Sequence, residues 1–196
     1  MKKLSLISCM IISFSSSGQI SLGIKAGVSV PDFAATYTST YAPTDENNFG
    51  KQRRIVAGVF ADIPLNKKLF FRPGAELVGK CASINLTSNG VAYEWKVKIN
   101  TVDFPINLIY KAASAGKQRV LVGGGIVPGI FIRSNYNISV LTLVNLGLNA
   151  MAGYEFPVGV SFNVNYNYGL LNVVSSPVHF QSLRLHYLGL TVGYFF

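Results

Sequence analysis

The sequence predicts an all-β fold: an eight-stranded antiparallel up-and-down transmembrane β-barrel, behind an N-terminal signal peptide. Three observations carry this. The chain of 196 residues is 49% hydrophobic and only 13% charged, with a mean hydropathy of +0.36. Its apolar residues alternate with Gly, Ser and Asn along most of its length, and the breaks between alternating runs are short and long by turns. A water-soluble surface is about 25 to 35% Lys, Arg, Glu and Asp, so 13% charge is too thin a coat for water. An aromatic content of 12% excludes disorder.

The chain opens with a basic Met1-Lys2-Lys3, an apolar run from Leu4 to Phe14, and small residues Ser16-Ser17-Gly18 before Gln19. That order reads as an export leader over 1–18, with the barrel domain in 19–196. Leu6-Ile7-Ser8-Cys9 looks like a lipidation box, but the apolar run before it is too short. Cleavage leaves Cys81 as the single thiol, so no internal disulfide is expected. Seventeen Lys and Arg stand against eight Asp and Glu. Losing Lys2 and Lys3 with the leader leaves fifteen against eight, spread evenly. A nucleic-acid binder clusters its cations, so no nucleic-acid partner is expected.

The clearest strand is Val158 to Tyr168, where Val158, Val160, Phe162, Val164, Tyr166 and Tyr168 alternate with Gly159, Ser161, Asn163, Asn165 and Asn167. Only a period of two separates those sets. The same pattern gives strands at about Gln19–Val30, Arg54–Ile63, Leu69–Leu86, Val91–Tyr110, Gln118–Ile132, Ile138–Phe156, Val158–Leu170 and Leu183–Phe196. Pro64–Lys68, Lys111–Lys117 and Phe156-Pro157 read as short turns, Pro31–Arg53 and Leu171–Ser182 as long loops, and Asn89-Gly90 as a two-residue hairpin. In the fourth strand the apolar parity runs through Tyr93, Trp95, Val97 and Ile99 and then through Val102, Phe104, Ile106 and Leu108, which predicts a bulge near Asn100-Thr101. Ser134 to Tyr154 carries no charge, but a helix there would scatter Asn145, Gly147, Asn149 and Gly153 onto lipid.

The two faces set the direction of closure. The polar face holds Gly, Ser, Asn and the sparse charges Lys25, Asp62, Arg72, Glu76, Lys80, Asp103 and Glu155, which suit the narrow lumen of an eight-stranded barrel. There they are expected to pair and fill the interior, with no chemistry of their own. The apolar face then meets hydrocarbon over a band about 25 Å tall. Tyr110, Tyr154, Tyr166, Tyr168 and Tyr194 fall outward toward strand ends, as an aromatic girdle does. Pro73 and Pro128 fall outward too, and each predicts a lost ladder bond.

Leu188, Leu190, Val192, Tyr194 and Phe196 alternate up to an aromatic end, which looks like the C-terminal signal read by the barrel assembly machinery of bacterial outer membranes. Together with Gln19–Ser29, Leu69–Leu77, Val102–Lys111, Gly123–Gly129, Leu146–Phe156 and Tyr166–Val173, taken in order, the chain resembles the PorT-like outer-membrane β-barrel family. Such relatives usually carry an acidic residue directly after the proline of the third strand. Here Gly74 stands there and Glu76 follows two residues later, while Asp103 replaces a commoner Glu. The resemblance implies residence in the outer membrane, with a link to secretion for the family's namesake.

Chemistry is scarce. His179 and His186, with Ser175, Ser176 and Ser182, are the nearest approach to a lipid hydrolase, and no acidic residue follows Glu155 to orient a histidine. Two histidines and one thiol without ligand spacing predict no metal, and Gly123-Gly124-Gly125 lacks the Lys-Ser/Thr of a phosphate loop. No catalytic residue and no cofactor are expected. The rim is richer: Lys51, Arg53, Tyr93, Trp95, Lys96 and Lys98 form a candidate surface for anionic lipopolysaccharide or an envelope protein. The expected function is a non-enzymatic envelope scaffold, adhesion or secretion-linked barrel. The alternatives are a narrow pore and, last, an outer-leaflet lipid enzyme.

Orientation is testable on neighbouring residues. Val164→Arg, on the lipid face, should cost about 2 to 4 kcal/mol in chemical unfolding from bilayers, whereas Asn163→Ser should be mild.

Overall fold

Alternation over 10 to 20 residues gives a sheet with two unlike faces, and such a sheet survives in hydrocarbon only when it leaves no open edge. The structure, a computed structural model, describes residues 19–37, 49–51, 53–88, 91–113, 118–134, 144–172 and 180–196. The leader reading of 1–18 and the turn at 89–90 lie outside the described residues.

The strands are β1 (Ser21–Tyr37), β2 (Phe49–Lys51), β3 (Arg54–Pro64), β4 (Leu69–Ser88), β5 (Val91–Asp103), β6 (Ile106–Ala113), β7 (Arg119–Ser134), β8 (Val144–Glu155), β9 (Val160–Gly169) and β10 (Phe180–Phe195). β5 and β6 are one stave interrupted at Phe104-Pro105, and β2 is a short addition to β4. Eight antiparallel staves therefore form the wall. β1 pairs with β10 from Gly23↔Phe195 to Tyr37↔Phe180, which closes the barrel.

The faces divide as the alternation requires. Along β9, Ser161, Asn163, Asn165 and Asn167 are buried while Phe162, Val164, Tyr166 and Tyr168 are exposed. Tyr110, Tyr194 and Phe196 are also exposed on the outer face. Near the end that carries the short turns, Tyr154 meets Phe156, and Phe156 meets Phe162, edge to face at 5.0 and 5.9 Å. The start of β1 and the end of β10 lie at this end, where Phe196 N–H donates to the Leu22 carbonyl at 2.8 Å. Short turns mark the periplasmic end of such barrels.

Several boundaries differ from the sequence reading. Pro31–Tyr37 is strand, part of β1, and residues 49–51 form β2, so the loop expected over Pro31–Arg53 is shorter. Lys111 belongs to β6 and not to a turn. The stave expected as continuous from Val91 to Tyr110 breaks at Phe104-Pro105, where Phe104 N–H bonds the Pro128 carbonyl at 2.7 Å and Gly74 N–H bonds the Pro105 carbonyl at 2.9 Å. The ladder between β3 and β4 lapses from Phe60↔Gly74 to Ile63↔Phe71, beside Pro73, which has no N–H to give.

The expected bulge near Asn100-Thr101 has a different origin. β5 runs opposite β4 without a register shift from Val91 to Asp103. The shift lies on the β7 side, where Asn100↔Arg133 is followed by Thr101↔Phe131, making Ile132 the extra residue. Ile99 stands opposite Lys80 and is fully buried in the lumen, not turned to lipid. Toward this end of the barrel the described inward residues become apolar and the described outward ones charged. Val56, Val78, Ile99, Leu185 and Tyr187 accordingly turn inward and are buried, while Arg53, Lys98 and Arg184 are exposed. The burial of apolar area removes these side chains from water at about 25 cal/mol per Å².

The glycine run of β7 sits mid-strand. A Cβ on Gly125 would fall on the Ile106 carbonyl oxygen and on Asn107 Cα, the residue opposite. Gly125→Val should cost about 1 to 3 kcal/mol by overpacking, read by urea unfolding in micelles. Ala152→Val on the exposed face should leave the midpoint unchanged.

Candidate functional site: a filled lumen and a basic rim

Inward side chains of β1, β3, β4, β5, β6 and β8 build three charged layers. At the periplasmic level Arg72 forks onto Asp62, with Nε to Oδ1 at 2.5 Å and Nη2 to Oδ2 at 2.8 Å. Lys111 Nζ lies 2.7 Å from Asp62 Oδ2 and 2.6 Å from Glu155 Oε2. Rings sheath this layer: the Arg72 guanidinium lies over Phe60 and Phe195, and Lys111 over Phe70 and Phe195. At mid-height Lys25 Nζ donates to Glu76 Oε1 at 2.6 Å. Toward the extracellular end Lys80 Nζ reaches both Asp103 oxygens, at 3.0 and 3.3 Å, beside the Tyr187 ring.

The four carboxylates Asp62, Glu76, Asp103 and Glu155 thus meet the four cations Lys25, Arg72, Lys80 and Lys111. Burial of a lone charge is costly, and pairing is what permits all eight inside. Lys111, which the sequence reads as the start of a turn, joins the lumen charges predicted from the polar face. Its parity, continued from Asn107 through Ile109, is the signal that marks it. Arg119, also missed, lies 3.8 Å from Glu155 with a largely exposed side chain and adds little.

Asparagines fill the space between layers. Asn149 Nδ2 donates to Asn107 Oδ1 at 3.0 Å and Asn163 Nδ2 to Ser161 Oγ at 3.2 Å. Asn163 occupies the space of a Cβ on Gly153, and Asn165 that of a Cβ on Gly189. Val56, Val78 and Tyr187 cluster above, and Ile109, Leu121 and Met151 cluster with Phe70 below. A cavity of about 20 Å³ remains at the centre, about the room one water needs.

The rim residues do not form a single patch. Lys51 lies in β2 opposite Ala82. Tyr93 and Trp95 hold register positions opposite Leu86 and Ile84, while Lys96 and Lys98 hold the alternate positions opposite Ser83 and Cys81. By register, Lys96 and Lys98 alternate along β5 with Tyr93 and Trp95, while Lys51 pairs with Ala82, the partner of Val97. Arg53, Lys98 and the unanticipated Arg184 are exposed. His179, Ser175 and Ser176 lie outside the described residues. His186 is on the outer face but covered: its ring meets Tyr168 at 4.4 Å and its Nδ1 accepts from Gly169 N–H at 3.2 Å. The closing seam sets Asp32 opposite His186, a neighbour that chain order alone did not offer. Leu188, Leu190, Val192, Tyr194 and Phe196 all lie exposed on the outer face. Among the described residues no group of His, Cys, Asp and Glu is arranged to hold a metal ion.

The upper ion pair is the cleanest test of the lumen, because both side chains are 1% exposed. Lys80→Met should destabilise by about 3 to 5 kcal/mol by leaving Asp103 alone, and Lys80→Met/Asp103→Leu should recover most of that loss in equilibrium unfolding.

Comparison with known proteins adds a lineage to this geometry. A comparison with curated proteins finds no match. Among solved structures, Neisserial surface protein A is similar at a TM-score of 0.52 and 14% identity, over 91% of this chain and 100% of that one. The outer membrane protein OprG from Pseudomonas aeruginosa is similar at 0.54 and 11% identity, over 90% and 95%. At these identities the likeness is one of fold. The profile of the outer membrane protein beta-barrel domain matches residues 13–175, most of the chain, and the protein belongs to that family, an outer-membrane β-barrel.

Proposed function

We propose that this barrel is a non-enzymatic envelope protein that acts through its extracellular face, as a scaffold, an adhesion or a secretion-linked component. One observation carries the reading: the lumen is occupied. Ion pairs, asparagines and two apolar clusters leave about 20 Å³ at the centre, so the interior supplies rigidity and the exposed rim is left for recognition. The exposed cations Arg53, Lys98 and Arg184 suit anionic lipopolysaccharide phosphates or an acidic partner surface. A secretion link is the finer version, supported by the motif order shared with PorT-like chains.

A narrow pore would need a continuous wet path, and planar bilayers distinguish it. The protein should pass no steady current, while Tyr187→Gly combined with Lys80→Ala and Asp103→Ala should raise conductance by emptying the extracellular half of the lumen. Steady single-channel current from the unmodified protein overturns the reading. In nanodiscs, Arg53→Glu/Lys98→Glu/Arg184→Glu should weaken capture of lipopolysaccharide several-fold at low salt, with the difference shrinking as salt screens the rim.

A further inference from the structure

Three buried acceptors at the centre of the lumen lack donors. Glu76 gives Oε1 to Lys25 at 2.6 Å, and its Oε2 is buried without a partner. Asn149 is oriented by its Nδ2 bond to Asn107, and Asn163 by its Nδ2 bond to Ser161. The Oδ1 atoms of both are likewise buried and unbonded. All three residues line the same cavity of about 20 Å³. Glu76 and Asn163 are only 4% and 8% exposed.

Size and chemistry select the occupant. The room admits one heavy atom with its hydrogens, and water needs about 10 to 15 Å³ together with two to four polar partners. Every orphan atom is an acceptor, so the occupant must donate. A metal cation or ammonium would also satisfy oxygen acceptors, but Lys25 and Arg72 line the same cavity and the charge of Glu76 is already matched by Lys25. A third positive charge would meet repulsion with no carboxylate left to neutralise it. We infer that the cavity is a site for a single neutral water molecule, whose two O–H groups are shared among the acceptors on β4, β8 and β9. β4 stands across the lumen from β8 and β9, and the water ties opposite walls that the described hydrogen bonds of Glu76, Asn149 and Asn163 do not join.

The test is water-to-protein NMR on the full barrel refolded in deuterated micelles, read at the side-chain amide protons of Asn149 and Asn163. Long-lived water cross-peaks should appear at both and persist when sodium or ammonium chloride is added. Absence of cross-peaks means a dry cavity and overturns the inference. Cross-peaks that vanish in ammonium, or a bound ¹⁵N-ammonium signal at these amides, mean a cation site and overturn it too. Asn163→Leu fills the space with an apolar side chain and should abolish the cross-peak at Asn149 while heat-modifiable mobility shows a folded barrel. Persistence of that cross-peak in the folded variant would place the water elsewhere and overturn the assignment. Should Asn163→Leu fail to fold, Asn163→Ser leaves the room open and keeps a polar group, so the Asn149 cross-peak must survive in it; its loss also overturns the site.

Discussion

Hydrocarbon offers no hydrogen bond, and everything in this structure depends on that. Each backbone N–H and C=O between the aromatic belts must find a partner within the wall, so an open sheet is excluded and β1 must meet β10. Closure at eight staves then fixes a lumen about as wide as its own side chains. The outside is settled by the solvent, and the inside by volume and charge.

Within that narrow interior, electrostatic neutrality is achieved layer by layer. Asp62 accepts from both Arg72 and Lys111, Glu155 shares Lys111, and Glu76 and Asp103 each hold one lysine. The aromatic rings around Arg72 and Lys111 replace water with polarisable faces. Packing an interior with paired charges and asparagines is less stabilising than packing it with leucine, yet it discriminates register: a one-residue slip of a stave would turn its polar side chains, charged ones on β1, β3 or β4, out to lipid and bring apolar side chains in.

Most of the wall was legible in the sequence because period-two alternation is unambiguous where one side is lipid. β9 shows it in Phe162, Val164, Tyr166 and Tyr168 against Ser161, Asn163, Asn165 and Asn167. Legibility failed where the surroundings changed. Ile99 shares the apolar parity of Tyr93, Trp95 and Val97 and so reads as outward-facing, but it stands opposite Lys80 and is buried in the lumen. Lys111 was lost because a lysine followed by small residues reads as a turn, although its partners Asp62 and Glu155 arrive from strands far away in sequence. The neighbourhood of Asp32 and His186 was equally invisible, since it exists only after the ends of the chain have met.

That meeting bears on how the protein can be made. The seam joins the first stave to the last, with Phe196 bonded back to Leu22. Until the final stave is in place, any partial sheet has a raw border of amide groups, tolerable in water and forbidden in lipid. Insertion therefore cannot proceed stave by stave through bare bilayer; the polypeptide has to cross in one concerted act, or with its unfinished border held by something else until the ring is complete.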